Sequence, residues 1–359
     1  MSYPATPLLD LASGRRVSDD LRDSAGIVAS AVEHRLGGLL FSAAQAGEAE
    51  LGPQDLVSLA AADASTCAHH RRLWQALGSA VSMLAEAGIE TAAMKGVTSE
   101  ARWFGRMGER PCSDIDLVVR HDHIDRLPEI LAILAADYPM IDEATELVRS
   151  RRLQHVHFEW QGATIDLHLD PLKLGMWTRG SDIVWSTTDQ VANPEGGGMV
   201  RVFGPEVALV GALTHLNKDR FAYLGAYGEI IRIATDPTLD WGLVSRFVEG
   251  EGLAVPVWRS LAAVADALDV DLAVLETAGW KAMLWDRLWP PSSRLQGDEG
   301  RTTHRHRQLV IPVVADGRGS DAAREWTRRV LPPRELLDVN DEQRCTHSYL
   351  RRVTMDRMP

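Results

Sequence analysis

The residues in this chain that most clearly suggest chemistry are two aspartates at the start of an apolar run. Asp114 and Asp116 lie two positions apart in Arg-Pro-Cys-Ser-Asp-Ile-Asp-Leu-Val-Val, the segment from Arg110 to Val119. Side chains of a strand alternate between its two faces, so we expect both carboxylates on one face. Like charges this close repel each other, and a divalent cation such as Mg²⁺, which prefers oxygen ligands, relieves the repulsion. The pair therefore predicts a metal site, against the plainer alternative of a polar strand edge facing solvent.

A third carboxylate stands in a predicted hairpin further along the chain. Residues 155–160 and 163–170 form two alternating runs joined by a Gln-Gly turn, which is the pattern of a β-hairpin. In the second arm, Asp166, His168 and Asp170 share one face, and the aliphatic residues between them share the other. The hairpin thus predicts a second acidic strand face.

Three carboxylates of this kind suit transfer of a phosphorus-containing group. Such reactions use two metal ions about 4 Å apart, which activate the attacking oxygen and stabilise the leaving group in line. We expect Asp114 and Asp116 to bridge both ions. Asp166 is expected to hold the catalytic ion and to orient or deprotonate the acceptor hydroxyl.

A predicted strand that ends at Met94 is followed at once by Lys95-Gly96 and a helical stretch. A helix N-terminus directs backbone N–H groups and the positive end of the helix dipole to one point, which favours anions. We expect Lys95 and the backbone at Gly96 to hold a triphosphate. Thr98 either adds a hydroxyl there or serves as a local helix cap. Arg110 is open to two interpretations, as a phosphate clamp or as an anchor of its loop.

Composition restricts the classes of function. The 359 residues are 45% hydrophobic and 25% charged, with a net charge of −12. Lys and Arg hold phosphate backbones, so this acidic balance argues against DNA as a partner and disfavours RNA. The chain has no run of ~18–20 apolar residues and no secretory-signal pattern at its start, which argues against a membrane partner. Three widely spaced cysteines suit a reducing compartment, and we expect a cytoplasmic protein.

The surrounding elements predict an α+β protein. Residues 1–25 are polar with scattered Pro and Gly and predict a loose arm, whereas Ala- and Leu-rich segments predict helices before the first strand. A small mixed sheet with helices on one face is expected over about residues 70–205, and residues 171–202 are expected to be an irregular connection with a hairpin turn. We divide the chain into an N-terminal arm with helices (1–69), a core that carries the site (70–204) and a mainly helical C-terminal domain (205–359).

Three blocks of the sequence resemble a known superfamily. Met94-Lys-Gly96, the segment from Arg110 to Val119, and Thr164-Ile-Asp-Leu-His168 are similar to motifs of a bacterial nucleotidyltransferase family known mostly from genomes. The family motifs read Leu-Lys-Gly, Arg-Pro-x-x-Asp-hydrophobic-Asp-Leu-Leu-Val and hydrophobic-Asp-Leu-His. This family belongs to the superfamily typified by polymerase β. The resemblance implies a polymerase-β-like nucleotidyltransferase core, and it extends over most of residues 70–359.

The resemblance implies Mg²⁺- or Mn²⁺-dependent transfer of a nucleoside monophosphate from an NTP, with ATP expected, to a hydroxyl or phosphate acceptor. We expect the acceptor to be a small molecule or a peptide or protein; an RNA 3′ end fits the superfamily but is opposed by the acidic charge. Two alternatives use the same site: a kinase that transfers the γ-phosphate, and a non-catalytic nucleotide sensor. The roles of His168 and His215 stay open. Glu229 stands where family members often carry Asp, either as a conservative replacement or as an unrelated surface acid.

Overall fold

The structure is a computed structural model. It describes residues 6–17, 21, 26–134, 145–146, 155–171, 181–218, 221–272, 277 and 279–288. The predicted C-terminal domain falls only partly within this range, because residues 289–359 lie outside the described chain.

Helices precede the sheet, as predicted. They are α1 (Thr6–Ser13), α2 (Ile27–Glu33), α3 (Gly37–Gln45) and α4 (Pro53–Glu86). The 34-residue α4 begins with a proline, whose missing N–H costs nothing in a first turn. It ends just before Gly88, which has the left-handed φ of +69° typical of a residue that terminates a helix. Local sequence therefore sets both ends of this long helix.

The first helix corrects the expectation of a loose arm over residues 1–25. In α1, Leu8 is fully buried in the cluster formed by the C-terminal helices, and the backbone oxygen of Ala12 accepts a hydrogen bond of 3.1 Å from Arg232 Nη1. An eight-residue helix is too short to be stable alone. Its stability comes from a surface more than 200 residues away in sequence, which no local pattern reveals.

The described strands form one mixed sheet. They are β1 (Thr91–Met94), β2 (Asp114–Val119), β3 (His155–Trp160), β4 (Ala163–His168), β5 (Thr188–Ala192) and β6 (Met199–Phe203). Their order is β3-β4-β2-β1-β6-β5. β2 is parallel to β4 and β1 is parallel to β6, while the other neighbours are antiparallel. The hairpin predicted from residue 155 is confirmed. The hairpin turn expected within residues 171–202 is present too, but it joins two regular strands, β5 and β6, where the connection was expected to be irregular.

The two faces of the sheet bury different cores. On one face, Ile115 and Ile165 pack with apolar residues of α4 and of α6 (Leu127–Ile133), which follows a 3₁₀ turn after β2. On the other face, Met94 and Val118 join the cluster of the C-terminal helices. The period of two along β2 therefore assigns Asp116 to the face shared with Val118. The expected helices on one face are present, and the C-terminal helices cover the second.

The remaining helices are α5 (Gly96–Trp103), directly after β1, α7 (Ser181–Ser186) before β5, and a C-terminal group after β6. This group comprises α8 (Pro205–Lys218), α9 (Leu224–Ala234), α10 (Trp241–Glu251), α11 (Ala254–Leu268) and α12 (Trp280–Leu288). The predicted α+β class is confirmed. In the described part of the chain, none of the helices has the length and apolar character required to cross a bilayer.

Candidate functional site

Two of the three predicted metal carboxylates lie side by side on parallel strands. The register of β2 and β4 pairs Asp116 with Asp166, and in the same register Asp114 pairs with Thr164. Asp116 and Asp166 are only 6% and 9% exposed. Two buried carboxylates on adjacent strands are mutually repulsive in their charged forms, which is the electrostatic condition that a bound cation relieves.

A buried histidine completes this carboxylate pair. His168 Nε2 lies 2.8 Å from Asp116 Oδ1 and 4.0 Å from Asp166 Oδ2, and its side chain is 1% exposed. One ligand atom from each of the three residues lies within 4.8 Å of the other two. Two carboxylate oxygens and an imidazole nitrogen at this spacing fit a divalent cation. We call Asp116, Asp166 and His168 the triad.

A second histidine contacts the triad from the outside. His157, on the neighbouring strand β3, is paired with Asp166 in register. Its Nδ1 lies 2.6 Å from Asp166 Oδ1, and its side chain is 63% exposed. His157 therefore orients one carboxylate from the solvent side, whereas His168 contacts the other from the interior.

Asp114 lies at the start of β2 on the same face, half-buried, two residues before Asp116. Its carboxylate is not part of the group of ligand atoms within 4.8 Å of one another. The structure thus brings two of the predicted metal ligands, Asp116 and Asp166, together with His168. Asp114 lies at the first residue of the strand, outside this group.

The predicted anion-binding turn is present between β1 and α5. Lys95 has φ +58° and ψ −157°, a backbone region that is almost confined to glycine and that costs of order 1–3 kcal/mol. Gly96 follows with φ +49°, and a Cβ there would lie 3.3 Å from the backbone oxygen of Asp114. Thr98 Oγ1 donates a 2.7 Å hydrogen bond to the Lys95 carbonyl, so it bonds within the first turn and does not cap the free N–H groups of the helix. The turn is strained and packs directly against the first residue of the acidic strand.

A cavity lies beside this turn. Its polar lining includes Lys95, Thr98, Ser99 and Arg102, and its apolar lining includes Phe203 and residues of α8. The cavity adjoins the triad through Met94, which lines it and pairs with Asp116 across the sheet.

Arg110 is held by Glu229. Its Nη2 lies 2.9 Å from Glu229 Oε2 on α9, and the side chains are 17% and 9% exposed. Burial disfavours the charged guanidinium, but Glu229 together with other nearby acidic groups, Asp116 among them, outweighs that effect and raises the pKa of Arg110. The interpretation of Glu229 as a surface acid is wrong. The contact supports Arg110 as an anchor of its loop, since one edge of the guanidinium is already engaged.

A chain of hydrogen bonds fixes the loop before β2. Cys112 Sγ lies 3.2 Å from His70 Nε2, and His70 Nδ1 lies 2.8 Å from Glu100 Oε2. The other oxygen of Glu100 accepts the backbone N–H groups of Gly108 and Arg110 at 2.8 and 2.9 Å. The arrangement resembles a nucleophile, base and acid in line. Burial and then nearby carboxylates, however, raise the pKa of Cys112 to about 12, so the thiol stays protonated and its role is structural.

Reasoning from the sequence missed two of these contacts. His70 and Glu100 are 30 residues apart, and Arg110 and Glu229 are further apart still, so no spacing within one element connects them. For His168 a signal was present, because the alternation in β4 places it on the same face as Asp166. The sequence identified that face but assigned no role to the imidazole.

Comparison with known proteins assigns the chain to a family. No curated protein matches it. A crystal structure of an antigenic nucleotidyltransferase-like protein from Paracoccidioides brasiliensis shares 16% identity, with 56% of this chain and 94% of that chain covered, at a TM-score of 0.29. So low a TM-score carries no argument, and the assignment rests on the family model. The model described as uncharacterised nucleotidyltransferase matches residues 21–269, well over half of the chain. This protein therefore belongs to that family of nucleotidyltransferases.

Proposed function

We propose that this protein is a divalent-metal-dependent nucleotidyltransferase, which transfers a nucleoside monophosphate from an NTP to a hydroxyl or phosphate acceptor. The observation that carries the proposal is the pairing of Asp116 with Asp166 on adjacent parallel strands, beside a cavity bordered by Lys95 and the start of α5. Membership of a nucleotidyltransferase family supports the same reaction class.

The roles follow from position. Asp116 and Asp166 hold a divalent cation, Mg²⁺ or Mn²⁺, and Asp114 joins them from the strand end. When bound, the cation supplies positive charge against the phosphate oxygens. Lys95 and the first backbone N–H groups of α5 bind the triphosphate.

The same residues carry out the steps of the reaction. Asp166 orients the acceptor hydroxyl and accepts its proton as the acceptor oxygen bonds to the α-phosphorus. The bond from that phosphorus to the bridging oxygen breaks, and pyrophosphate leaves with its electron pair. Lys95 balances the charge that the leaving group gains.

The NTP we expect is ATP, and the acceptor is a small molecule or a peptide or protein. The cavity beside Lys95 offers an ammonium, a guanidinium and hydroxyl groups, from Lys95, Arg102, Thr98 and Ser99, which suit a phosphate-bearing ligand. The net charge of −12 disfavours RNA as acceptor. The C-terminal helices, which form one wall of the cavity, are the part of the chain we assign to acceptor binding, and we expect the reaction to take place in the cytoplasm.

The test is a panel of NTPs labelled at the α-phosphate, incubated with Mg²⁺ or Mn²⁺ and candidate acceptors. Pyrophosphate release with label transfer supports the proposal, whereas release of ADP assigns the site to a kinase. Binding that raises the melting temperature without any product assigns it to a sensor.

Two variants at the paired carboxylates locate the reaction. Asp116→Asn and Asp166→Asn should each lower turnover about 100-fold or more, because each removes a charged ligand at the reacting phosphate. The matched control is Asp266→Asn, at an exposed position of α11, and it should retain turnover. Full turnover in both carboxylate variants would remove the basis of the proposal.

A further inference from the structure

The His168 side chain lies where a ligand of the cation would lie, and it does more than support the neighbouring carboxylate. Its side chain is 1% exposed, and Nε2 points at both carboxylates of the triad, at 2.8 and 4.0 Å. The imidazole ring is also held from the side by His155, whose ring centroid is 5.3 Å away at an angle of 32°. A ring held by its neighbours keeps its nitrogen in one position. Metal sites require ligands that are preorganised in this way.

We propose that His168 is a nitrogen ligand of the cation bound by Asp116 and Asp166, and that the site therefore binds Mn²⁺ in preference to Mg²⁺. This inference rests on the proposed function, since it assumes that the carboxylate pair holds a divalent cation. It changes the identity of the cofactor and adds a ligand to the predicted set of carboxylates.

The spacing of the three ligand atoms is the first argument. With metal–ligand bonds of about 2.1 Å, adjacent positions of an octahedron lie about 3.0 Å apart and opposite positions about 4.2 Å apart. The separations from His168 Nε2 to the two carboxylates, 2.8 and 4.0 Å, are close to these two values. The ligand atoms of the two carboxylates lie within 4.8 Å of each other as well, so all three atoms are within reach of one ion.

The chemistry of the donors is the second argument. Mg²⁺ prefers oxygen and keeps several waters, so a carboxylate pair satisfies it and an imidazole adds little. First-row transition ions bind imidazole nitrogen well, and Mn²⁺ also binds carboxylates well. A site with two carboxylates and one imidazole therefore favours Mn²⁺ over Mg²⁺ more than the carboxylates alone would.

His157 provides the matched control. Each histidine contacts one carboxylate of the triad, at 2.6 Å for His157 and 2.8 Å for His168. Only the His168 nitrogen lies in the group of atoms within 4.8 Å of one another. Loss of His157 removes a carboxylate contact without removing a proposed ligand, so the two histidines separate positioning from coordination.

The first experiment needs no variant. Mn²⁺ is added to the full-length protein, and pulsed electron paramagnetic resonance is recorded for the unlabelled chain and for a chain carrying isotope-labelled histidine. We expect nitrogen couplings to Mn²⁺ that change with the label and persist in His157→Asn. Bound Mn²⁺ without histidine nitrogen coupling would overturn the inference.

The second experiment measures the dissociation constants of Mn²⁺ and Mg²⁺ by calorimetry for wild type, His168→Asn and His157→Asn. We expect His168→Asn to lower the preference for Mn²⁺ over Mg²⁺ about 10-fold or more, because a ligand that only one of the two ions uses well is lost. His157→Asn should weaken both ions by a similar factor and leave the preference within about 2-fold. An equal loss for both ions in His168→Asn would make His168 a positioning residue and would contradict the proposal.

Failure of the inference is distinguishable from failure of the proposed function. If Mn²⁺ binds to wild type but not to Asp116→Asn, and histidine coupling is missing, the metal site stands and only the role of His168 is wrong. If Mn²⁺ binds equally to wild type and to Asp116→Asn, the carboxylate pair is not a metal site and both proposals fall.

Discussion

At Lys95 the backbone conformation favours glycine, whereas the proposed function requires the lysine side chain. The turn requires a φ of +58°, which glycine adopts without strain, yet the proposed triphosphate site requires an ammonium group. Strain of this kind persists where the surrounding structure imposes it and is typical of functional sites. This conflict supports a role for the Lys95 side chain, because the protein would be more stable with glycine at position 95 if the lysine had no function there.

Two substitutions separate strain from charge. Lys95→Gly and Lys95→Ala both remove the ammonium and should weaken NTP binding to the same extent. Lys95→Gly should exceed Lys95→Ala in unfolding free energy by about 1 kcal/mol, because only glycine relaxes the positive φ. Urea unfolding and calorimetric NTP titration measure both quantities. Equal stability of the two variants would show that the turn is not strained.

The site could be predicted only where its residues lie on one face of one element. Asp114 with Asp116, and Asp166 with His168, were visible because alternation along a strand is a local rule. That the two pairs meet depends on β2 lying next to β4, which the sequence implied only through its resemblance to a family. The contacts of His70 with Glu100 and of Arg110 with Glu229 arise from tertiary packing and leave no local pattern.

Among the elements, α3 positions the loop before β2 by direct backbone contact. A Cβ on Gly38 would lie 1.9 Å from the backbone oxygen of Gly108, closer than any real contact. The same loop is attached to α5 through Glu100, which accepts the N–H groups of Gly108 and Arg110. A displacement of α3 would therefore also shift Arg110, which pairs with Glu229.

The substitution Gly38→Ala tests this contact. It should lower the unfolding free energy by about 3 kcal/mol, because the methyl group forces backbone apart, and it should weaken metal binding through the displaced loop. Gly250→Ala is the matched control, since a Cβ there meets nothing within 4 Å and α10 should gain up to about 0.5 kcal/mol. Chemical denaturation gives both values. Equal effects at the two glycines would mean that α3 does not hold the loop.

The elements differ in how far local sequence determined them. The hairpin of β3 and β4 was predictable from its alternation and Gln-Gly turn, and α8 from the proline at its start. The pairing of β6 with β1 was not, because a five-residue run does not specify a distant partner and β1 lies far earlier in the chain. α1 was missed for the same reason, since its stability comes from distant helices.

At the scale of the whole molecule, one buried ion pair connects the site loop to the C-terminal helices. Arg110 lies just before the acidic strand, and Glu229 lies in α9 and lines the cavity. Removal of either partner leaves a buried charge with no counter-charge, which is far more costly than removal of both.

A double-mutant cycle measures this connection. Arg110→Met and Glu229→Leu should each lower the unfolding free energy by about 3 kcal/mol, and the double variant should lose clearly less than the sum, because it leaves no buried unpaired charge. Urea unfolding of the four proteins gives the coupling energy. Additive losses would show that the pair does not tie the loop to α9.

The position of β6 in the sheet has a consequence for how the protein is made. A ribosome delivers β1, β2 and β4 well before β6, and Glu229 later still. Asp116 and Asp166 can therefore meet on the nascent chain while one edge of β1 is still open to wrong partners. The cavity wall and the counter-charge of Arg110 arrive last, so the site is complete only once α9 has emerged.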